Sequence, residues 1–360
     1  MMEFIYISGL YMPASGGAEI SMYTLLKVFA EKGCIFHVIT KREQNDDERF
    51  DKIIKNIIVY RVNSKADVEN VFKKIYSANK ISGALTQNSW SDVAIKICQS
   101  YNCPSIYFLR APFGELDIST NGEYTCDFVV ANSIATRNYI AEKFKRQDTI
   151  IIPPVIDPDD YLIDHNTKEF ITMINPIQMK GGDIFKDIAM NLPQRKFLAI
   201  KGWTHLMKNG TWNLPLLNDL SNGMGISNDP VFNITDFTGI KNVIVEDSTE
   251  DMKTVYSRTR LLLVPSITPE GGPRIAIEAM INGIPVIGSN SGNLPLTVGS
   301  GGIIIEQNFN VGNWIDAILK LDNEDYYLKL SDDAKKKNII NLNDQLLAFE
   351  QILQKSSEKN

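Results

Sequence analysis

Histidine is scarce in this chain: three residues, at positions 37, 165 and 205, in a sequence of 360. That shortage argues against a mechanism built on clustered imidazoles, whether as metal ligands or as a proton relay. Cysteine is also sparse. The four residues (34, 98, 103 and 126) all lie in the first half, and neither a second cysteine pair nor a histidine cluster completes a zinc pattern. They are expected as buried thiols of a cytoplasmic protein. No apolar run approaches the roughly 20 residues of a membrane-spanning helix. The opening Met1-Met-Glu-Phe-Ile-Tyr-Ile-Ser8 lacks the basic start of a secretory signal and reads as a first strand. Positive charge is not in excess: the net charge is −6, which argues against a general nucleic-acid binder.

What is present is a strand–helix alternation, run twice. At 360 residues two domains are the prior expectation. Strands are expected at 3–8, 34–40, 57–62, 83–87, 105–110 and 127–132, with helices at 17–32, 66–79, 90–101 and 134–145. The strands are apolar runs rather than alternations, as in a parallel sheet covered on both faces. A proline- and acid-rich stretch at 148–170 reads as a linker. A second series follows, with strands at 169–175, 196–201, 242–246, 261–265, 285–289 and 302–305. Its helices are expected near 183–192, 249–258, 273–282 and 310–321, then at 324–337 and 341–355. The expected domains are 1–153, 154–340 and a C-terminal helix, 341–360, that packs back on the first. Residues 203–240 break the rhythm and read as a surface excursion or a functional loop.

The densest chemical signal is Glu270-Gly-Gly-Pro-Arg-Ile-Ala-Ile-Glu278, two carboxylates separated by seven residues. Gly271, Gly272 and Pro273 suit a loop that opens a helix. That helix is apolar nearly all round, so Glu278 is expected to be buried and in need of hydrogen-bond donors. Glu270 stands just before the helix N-terminus, where backbone amides favour an anionic ligand. Phosphate and hydroxyls together would suit this arrangement, as in a nucleotide sugar.

Other motifs are weaker alone. Gly9-Leu-Tyr-Met-Pro-Ala-Ser-Gly-Gly-Ala-Glu19 follows the first strand, and Gly16 and Gly17 would let a diphosphate approach a helix N-terminus; a tight structural turn is the alternative. It is not the G-x-G-x-x-G dinucleotide fingerprint. Lys180-Gly-Gly-Asp183 pairs a lysine that can reach phosphate with two glycines. The acids of Asp157-Pro-Asp-Asp160 could hold a divalent metal, but their place in the linker favours a solvated run, and no metal is expected. Arg137 to Arg146 is basic with interleaved aromatics. A solvated helix face is the expectation, with peripheral contact to an anionic inner membrane face the alternative.

Taken in order, Asp127-Phe-Val-Val-Ala-Asn-Ser133, Ile152-Pro-Pro-Val-Ile-Asp157, Asn175-Pro-Ile-Gln-Met-Lys-Gly181 and the run from Pro265 to Gly288 resemble glycosyltransferase family 4. The resemblance covers most of the chain and is strongest over 242–306. It implies an α/β GT-B fold, two Rossmann-like doubly wound domains facing a central cleft, the first (1–153) binding the acceptor and the second (154–340) the nucleotide sugar. It implies a retaining, metal-independent transferase that moves a hexosyl group from a UDP- or GDP-sugar to an acceptor hydroxyl. The acceptor would be a glycan, a lipid-linked saccharide, a protein or a small molecule.

By the same resemblance Lys180 binds donor phosphate, Glu270 the sugar hydroxyls and Glu278 the ribose. Gly16, Gly17, Asn175, Lys201, Gly271, Gly272, Pro273, Arg274 and Ile275 complete the donor-binding set, and Lys180, Glu270 and Arg110 are the catalytic candidates. Three positions depart from the family pattern. Asn175 replaces a frequent arginine, with Lys201, Arg110 or Arg274 as substitutes. Arg110 stands near a frequent histidine, and Leu296 replaces a frequent acid. These departures motivate a rival reading, a non-catalytic sugar-nucleotide or glycan-binding homologue. A weaker third is an epimerase or phosphorylase.

Overall fold

The computed structural model describes residues 2–13, 16–42, 54–113, 116–202, 207–208, 211–212, 234–337 and 342–359. The chain divides into two compact units. One contains Met1–Val155, Lys208–Asn228 and Leu342–Asn360; the other contains Ile156–Met207 and Asp229–Asn341.

In the first unit the strands are β1 (Glu3–Ile7), β2 (Ile35–Lys41), β3 (Ile57–Val62), β4 (Ile81–Gln87), β5 (Ser105–Leu109), β6 (Phe128–Ala131) and β7 (Ile150–Ile151). They form one sheet in the order β3-β2-β1-β4-β5-β6-β7, parallel throughout. Every residue of β4 is buried, as expected of a central strand covered on both faces, and its polar side chains are bonded within the unit: Thr86 Oγ1 donates to the Ile7 carbonyl at 2.8 Å. The helices α1 (Gly17–Glu31), α2 (Val68–Ala78), α3 (Ser91–Tyr101) and α4 (Ile134–Phe144) connect the strands. In α2 the buried Val68, Phe72 and Ile75 recur at helical spacing and form one face.

The last helix, α11 (Leu342–Lys359), belongs to this unit. Phe349 is fully buried, with ring centroids 5.1 Å from Phe29 and 6.0 Å from Phe108. Ser356 Oγ donates to the Ser82 carbonyl at 3.0 Å, and Lys359 pairs with Asp127. Burial alone would raise the Asp127 pKa; Lys359 and the Ser105 donors outweigh it and hold the carboxyl below its usual range.

In the second unit β8 (Phe170–Ile174), β9 (Phe197–Ile200), β12 (Val243–Glu246), β13 (Thr259–Val264), β14 (Val286–Ser289) and β15 (Gly302–Ile305) pair in the order β12-β9-β8-β13-β14-β15, all parallel. Apart from the two large sheets, the short strands β10 (Met207–Lys208) and β11 (Thr211–Trp212) pair with each other. The helices are α5 (Gly182–Asn191), α6 (Met252–Tyr256), α7 (Arg274–Ile281), α8 (Leu294–Val298), α9 (Val311–Lys320) and α10 (Glu324–Lys337). Among the described residues no helix is long and apolar enough to cross a membrane.

Several sequence expectations change. The 148–170 stretch is not all linker: Ile150–Ile151 joins the sheet beside β6, and Asp157 caps a 3-10 turn at Pro158–Asp160 by accepting from the Asp159 amide. The helix expected at 249–258 is shorter, Met252–Tyr256, because Asp251 caps it by accepting from the Thr254 amide. Helix α8 was not anticipated, since its first turn contains Pro295. Arg146 leaves the expected solvated basic face. It is 4 % exposed, paired with Asp148 and bonded to the Cys126 carbonyl at 2.9 Å. Most of 203–240, including Trp203, lies outside the described residues.

Truncating Phe349 to alanine should cost about 3–5 kcal/mol, the usual range for a buried phenylalanine. Urea unfolding of the variant checks this; a loss under about 1 kcal/mol would contradict the packing of α11 as part of the first unit's core.

Candidate functional site

In a doubly wound sheet the strand order reverses at one place, and the loops after the two strands there diverge and leave a crevice. In the second unit that place is between β8 and β13. After β8 the chain turns at Asn175, in left-handed backbone (φ 60°), and enters a 3-10 turn at Gln178–Lys180. After β13 it continues through Pro265 to Glu270. The two loops are tied together: the Ile267 amide donates to the Met179 carbonyl at 3.0 Å. Gly181 makes the approach feasible, because its φ is +82° and a Cβ there would stand 2.1 Å from the Pro265 carbonyl oxygen. The glycine after Lys180 therefore lets the two loops pack against each other.

The result is a contact between residues ninety positions apart. Lys180 Nζ lies 2.6 Å from Glu270 Oε1, and Ser266 Oγ donates to the same oxygen. The Lys180 and Glu270 side chains remain 21 % and 13 % exposed. Serines at and just after the end of β14 hold the backbone of the 266–270 loop: Ser289 Oγ donates to the Ser266 carbonyl at 2.7 Å and Ser291 Oγ to the Thr268 carbonyl at 2.9 Å. The Asn293 amide donates to the Glu270 carbonyl at 2.7 Å. Gly292, at φ +59°, lies so close that a Cβ would stand 2.2 Å from that carbonyl oxygen.

Gly271 and Gly272 form the turn into α7, Pro273 precedes its first residue, and Ile275 packs half-buried against the core. Glu278 is buried, as its apolar neighbours predict, and the fold supplies its donors. Arg274 Nε donates to Oε1 at 3.1 Å and the Tyr256 hydroxyl to Oε2 at 2.8 Å. Arg274 is also buried and donates to the Tyr161 hydroxyl at 2.9 Å. Burial pushes the Tyr256 phenol far above its ordinary pKa, so it remains a donor. The Arg274 guanidinium thus sits in an internal ion pair, which differs from the phosphate-substituting role expected of it. Lys201 is paired with Asp247 at 2.8 Å. Asn175 is buried and brings an unpartnered amide oxygen, not a cation.

The first unit has its own crevice, at the reversal between β1 and β4. Gly16 caps α1, and Gly17 is its first residue. Glu19, in the first turn, is 5 % exposed and accepts from Asn88 Nδ2 at 2.9 Å. Burial raises its pKa, against the opposing effects of its own amide, Asn88 and Arg110. Arg110 follows β5; its Nε donates to Gln87 Oε1 at 2.6 Å, and its guanidinium stacks 4.8 Å above the Phe108 ring. Sequence reasoning passed over Glu19, Ser266, Tyr161 and Tyr256. Only the first carries a local signal, an acid in the first turn after a glycine pair; the others acquire roles through contacts distant in the chain.

Residues 228–338 match the family model described as Glycosyl transferases group 1. This span contains Glu270, Arg274 and Glu278. An uncharacterized glycosyltransferase of Haemophilus influenzae is 27 % identical over 61 % of this chain and 59 % of its own length. The D-inositol 3-phosphate glycosyltransferase of Mycobacterium leprae is 28 % identical over 44 % of this chain and 33 % of its own. The chain therefore spans less than two thirds of these relatives. Sucrose-phosphate synthase from Thermosynechococcus elongatus superposes with a TM-score of 0.78 at 17 % identity, covering all of both chains. Anabaena HepE in complex with UDP and glucose superposes at 0.72 and 15 % identity, covering 98 % of this chain and 100 % of the other. At such identities the likeness shows the fold, which is GT-B. The group 1 match extends through α8, where Leu296 is 53 % exposed.

Two stability predictions follow from the buried charges. Arg274→Met should cost about 3–5 kcal/mol by leaving Glu278 uncompensated, and Arg274→Met/Glu278→Gln should recover much of that loss; urea unfolding of both variants decides it. The raised Glu19 pKa favours the protonated form in the folded state. Its stabilising contribution is therefore full below the ordinary glutamate value of 4.5 and is lost as pH rises through the raised folded value. The unfolding free energy of Glu19→Gln relative to the natural protein should shift in the variant's favour over that window, and a pH-independent difference would contradict it.

Proposed function

We propose that the protein is a retaining glycosyltransferase of family 4 type. It transfers a hexosyl group from a UDP- or GDP-sugar to an acceptor hydroxyl, in the cytoplasm and in the synthesis of a glycan or glycoconjugate. The observation that carries this reading is the Lys180–Glu270 pair at the β8/β13 reversal, beside the amides that open α7. The group 1 match over 228–338 supports it. The superposition with a protein holding UDP and glucose favours UDP as the nucleotide.

On this reading the donor separates the pair. Its diphosphate takes the Lys180 ammonium, and hydroxyls of its sugar donate to Glu270. As the anomeric C–O bond to the β-phosphate breaks, negative charge builds on the leaving diphosphate and is met by Lys180 and the loop amides. The acceptor oxygen bonds to the anomeric carbon on the face the diphosphate leaves, and its proton passes to the departing phosphate. Lys180 supplies the positive charge, so the scheme calls for neither a metal nor a resident cofactor. Ser266 holds Glu270 in place. The second reading, a sugar-nucleotide or glycan-binding homologue without turnover, is favoured by Glu278, whose two oxygens are both engaged within the protein.

Nucleotide release from UDP- and GDP-sugars, with and without acceptors, separates the readings: binding with no release across a broad acceptor panel supports the second. Under the first, Lys180→Ala and Glu270→Ala should each lower turnover by about 10²–10³, and the product should keep the donor's anomeric configuration by NMR. Near-normal turnover in Lys180→Ala would sink the assignment.

A further inference from the structure

The second unit carries a cavity at the edge of its sheet opposite the Lys180–Glu270 pair. All the strands of that sheet run parallel, so their N-terminal ends share one edge. Lys168 and Glu169 precede β8, Arg195 and Lys196 precede β9, and Arg260 is the second residue of β13. Together they line a cavity of about 280 Å³. Its apolar floor includes Ile171, Leu261 and Ile318, all buried. Ligands of doubly wound sheets ordinarily lie beyond the C-terminal ends of the strands, so this cavity is a separate place.

Its charge is the first observation. Four cations, Lys168, Arg195, Lys196 and Arg260, face two lining acids, Glu169 and Asp322. A third acid, Glu324, stands beside Lys168 and Arg260. Positive charge is therefore in excess here, in a chain whose net charge is −6. The pairing is also uneven. Lys196 lies 2.8 Å from Glu169, and Arg195 pairs with Asp322. Lys168 and Arg260 share Glu324, each at 3.5 Å. These side chains are all partly exposed, so the pairs are weak and an anion can displace Glu324 at small cost.

The second observation is that Lys168 and Arg260 are held in place by groups other than Glu324. Arg260 Nη2 donates to the Leu321 carbonyl at 2.9 Å. Its guanidinium lies 4.4 Å from the centroid of the Tyr327 ring, and Lys168 Nζ lies 4.6 Å from the same centroid. That ring is buried, and its hydroxyl donates to the Arg260 carbonyl at 2.9 Å. The Glu169 and Phe170 amides both donate to the Arg258 carbonyl, which fixes the segment carrying Lys168 to the start of β13. Cations ordered in advance lose less freedom when they bind an anion.

Arg195 supplies the third. It reaches Asp322 through Nη2 alone, and its Nε has no partner. The guanidinium is thus not engaged as a two-pronged fork, the arrangement in which arginine holds a carboxylate or a phosphate most firmly.

The size of the cavity selects a small ligand, since pockets for small molecules begin near ~300 Å³. Its charge selects an anion, and the guanidinium and ammonium groups suit phosphate. Carboxylates and a side-chain amide remain for hydroxyls. We propose that this cavity binds a small phosphate monoester of a sugar or polyol, with Lys168 and Arg260 on the phosphate and Glu169, Asp322 and Gln194 on the hydroxyls. The site is independent of the donor site and of the glycosyltransferase reading.

The test is calorimetry on the full chain. The probes are glycerol 3-phosphate, ribose 5-phosphate and glucose 6-phosphate, each beside its phosphate-free parent, with inorganic phosphate in parallel. At least one ester should bind, and its parent and inorganic phosphate should each bind about tenfold more weakly or worse. Lys168→Ala and Arg260→Gln should each weaken that ester by about tenfold or more. The Lys168 side chain is 38 % exposed, so its variant should keep the urea midpoint of the natural protein, which separates lost binding from lost folding. Lys180→Ala and saturating UDP should leave the affinity for the ester unchanged. Phosphatidylcholine vesicles doped with phosphatidic acid should capture no more protein than undoped ones, which distinguishes a soluble ester from a lipid headgroup. The proposal is overturned if no ester binds, if inorganic phosphate or the parent matches the ester, or if both cavity variants keep full affinity. It is equally overturned if Lys180→Ala or UDP abolishes binding of the ester, or if the protein binds doped vesicles and no soluble ester.

Discussion

The reversal of strand order in a parallel sheet is the constraint on which the candidate site depends. Parallel strands need crossovers, and at one place in each sheet successive crossovers leave in opposite directions. Between β8 and β13 that divergence brings the loop carrying Lys180 against the loop carrying Glu270, and a 2.6 Å ion pair results. Ser289, Ser291 and the left-handed Gly292, at and after the end of the neighbouring strand, then hold the backbone of the 266–270 loop that carries the carboxylate. Without the reversal, these groups would be loop residues with no common target.

The two units solve the same problem of a buried acid in different ways. Glu278 is compensated in full by Arg274 and Tyr256, which makes it part of the interior of α7. Glu19 has only amide donors in direct contact and a more distant arginine, so burial wins and its proton affinity rises. The Lys180–Glu270 pair keeps partial exposure on both sides. Water lowers the cost of separating such a pair, whereas separating Arg274 from Glu278 would strand a buried charge. Partial exposure is what allows a ligand to replace one partner with another.

Much of the fold was legible from the chain. The apolar runs that became β1, β5, β8 and β14 are buried strands, and the double strand–helix series became two parallel sheets. The burial of Glu278 followed from its apolar helix. Other features were not legible. Pro295 concealed α8, because a proline in a short segment reads as a break although it is tolerated in a helix's first turn. Arg146 lay within a run of basic residues, and its burial against Cys126 and Asp148 carries no periodic signal. Tyr161 and Tyr256 stand 117 and 22 positions before Glu278, too far for any local pattern to link them to it.

The sequence by itself determined the parallel α/β architecture, the loop that opens α7 and the candidate roles of Lys180 and Glu270, because strand burial and helix starts are written in local patterns. Only the tertiary structure decided which charges meet. Lys180 meets Glu270, Arg274 meets Glu278, Lys201 meets Asp247, and Glu19 lies over the helix end that Gly16 and Gly17 seemed to reserve for phosphate. The physical reason is range: a helix or strand is specified over a few residues, whereas an ion pair depends on side chains that the sheet brings together from distant parts of the chain.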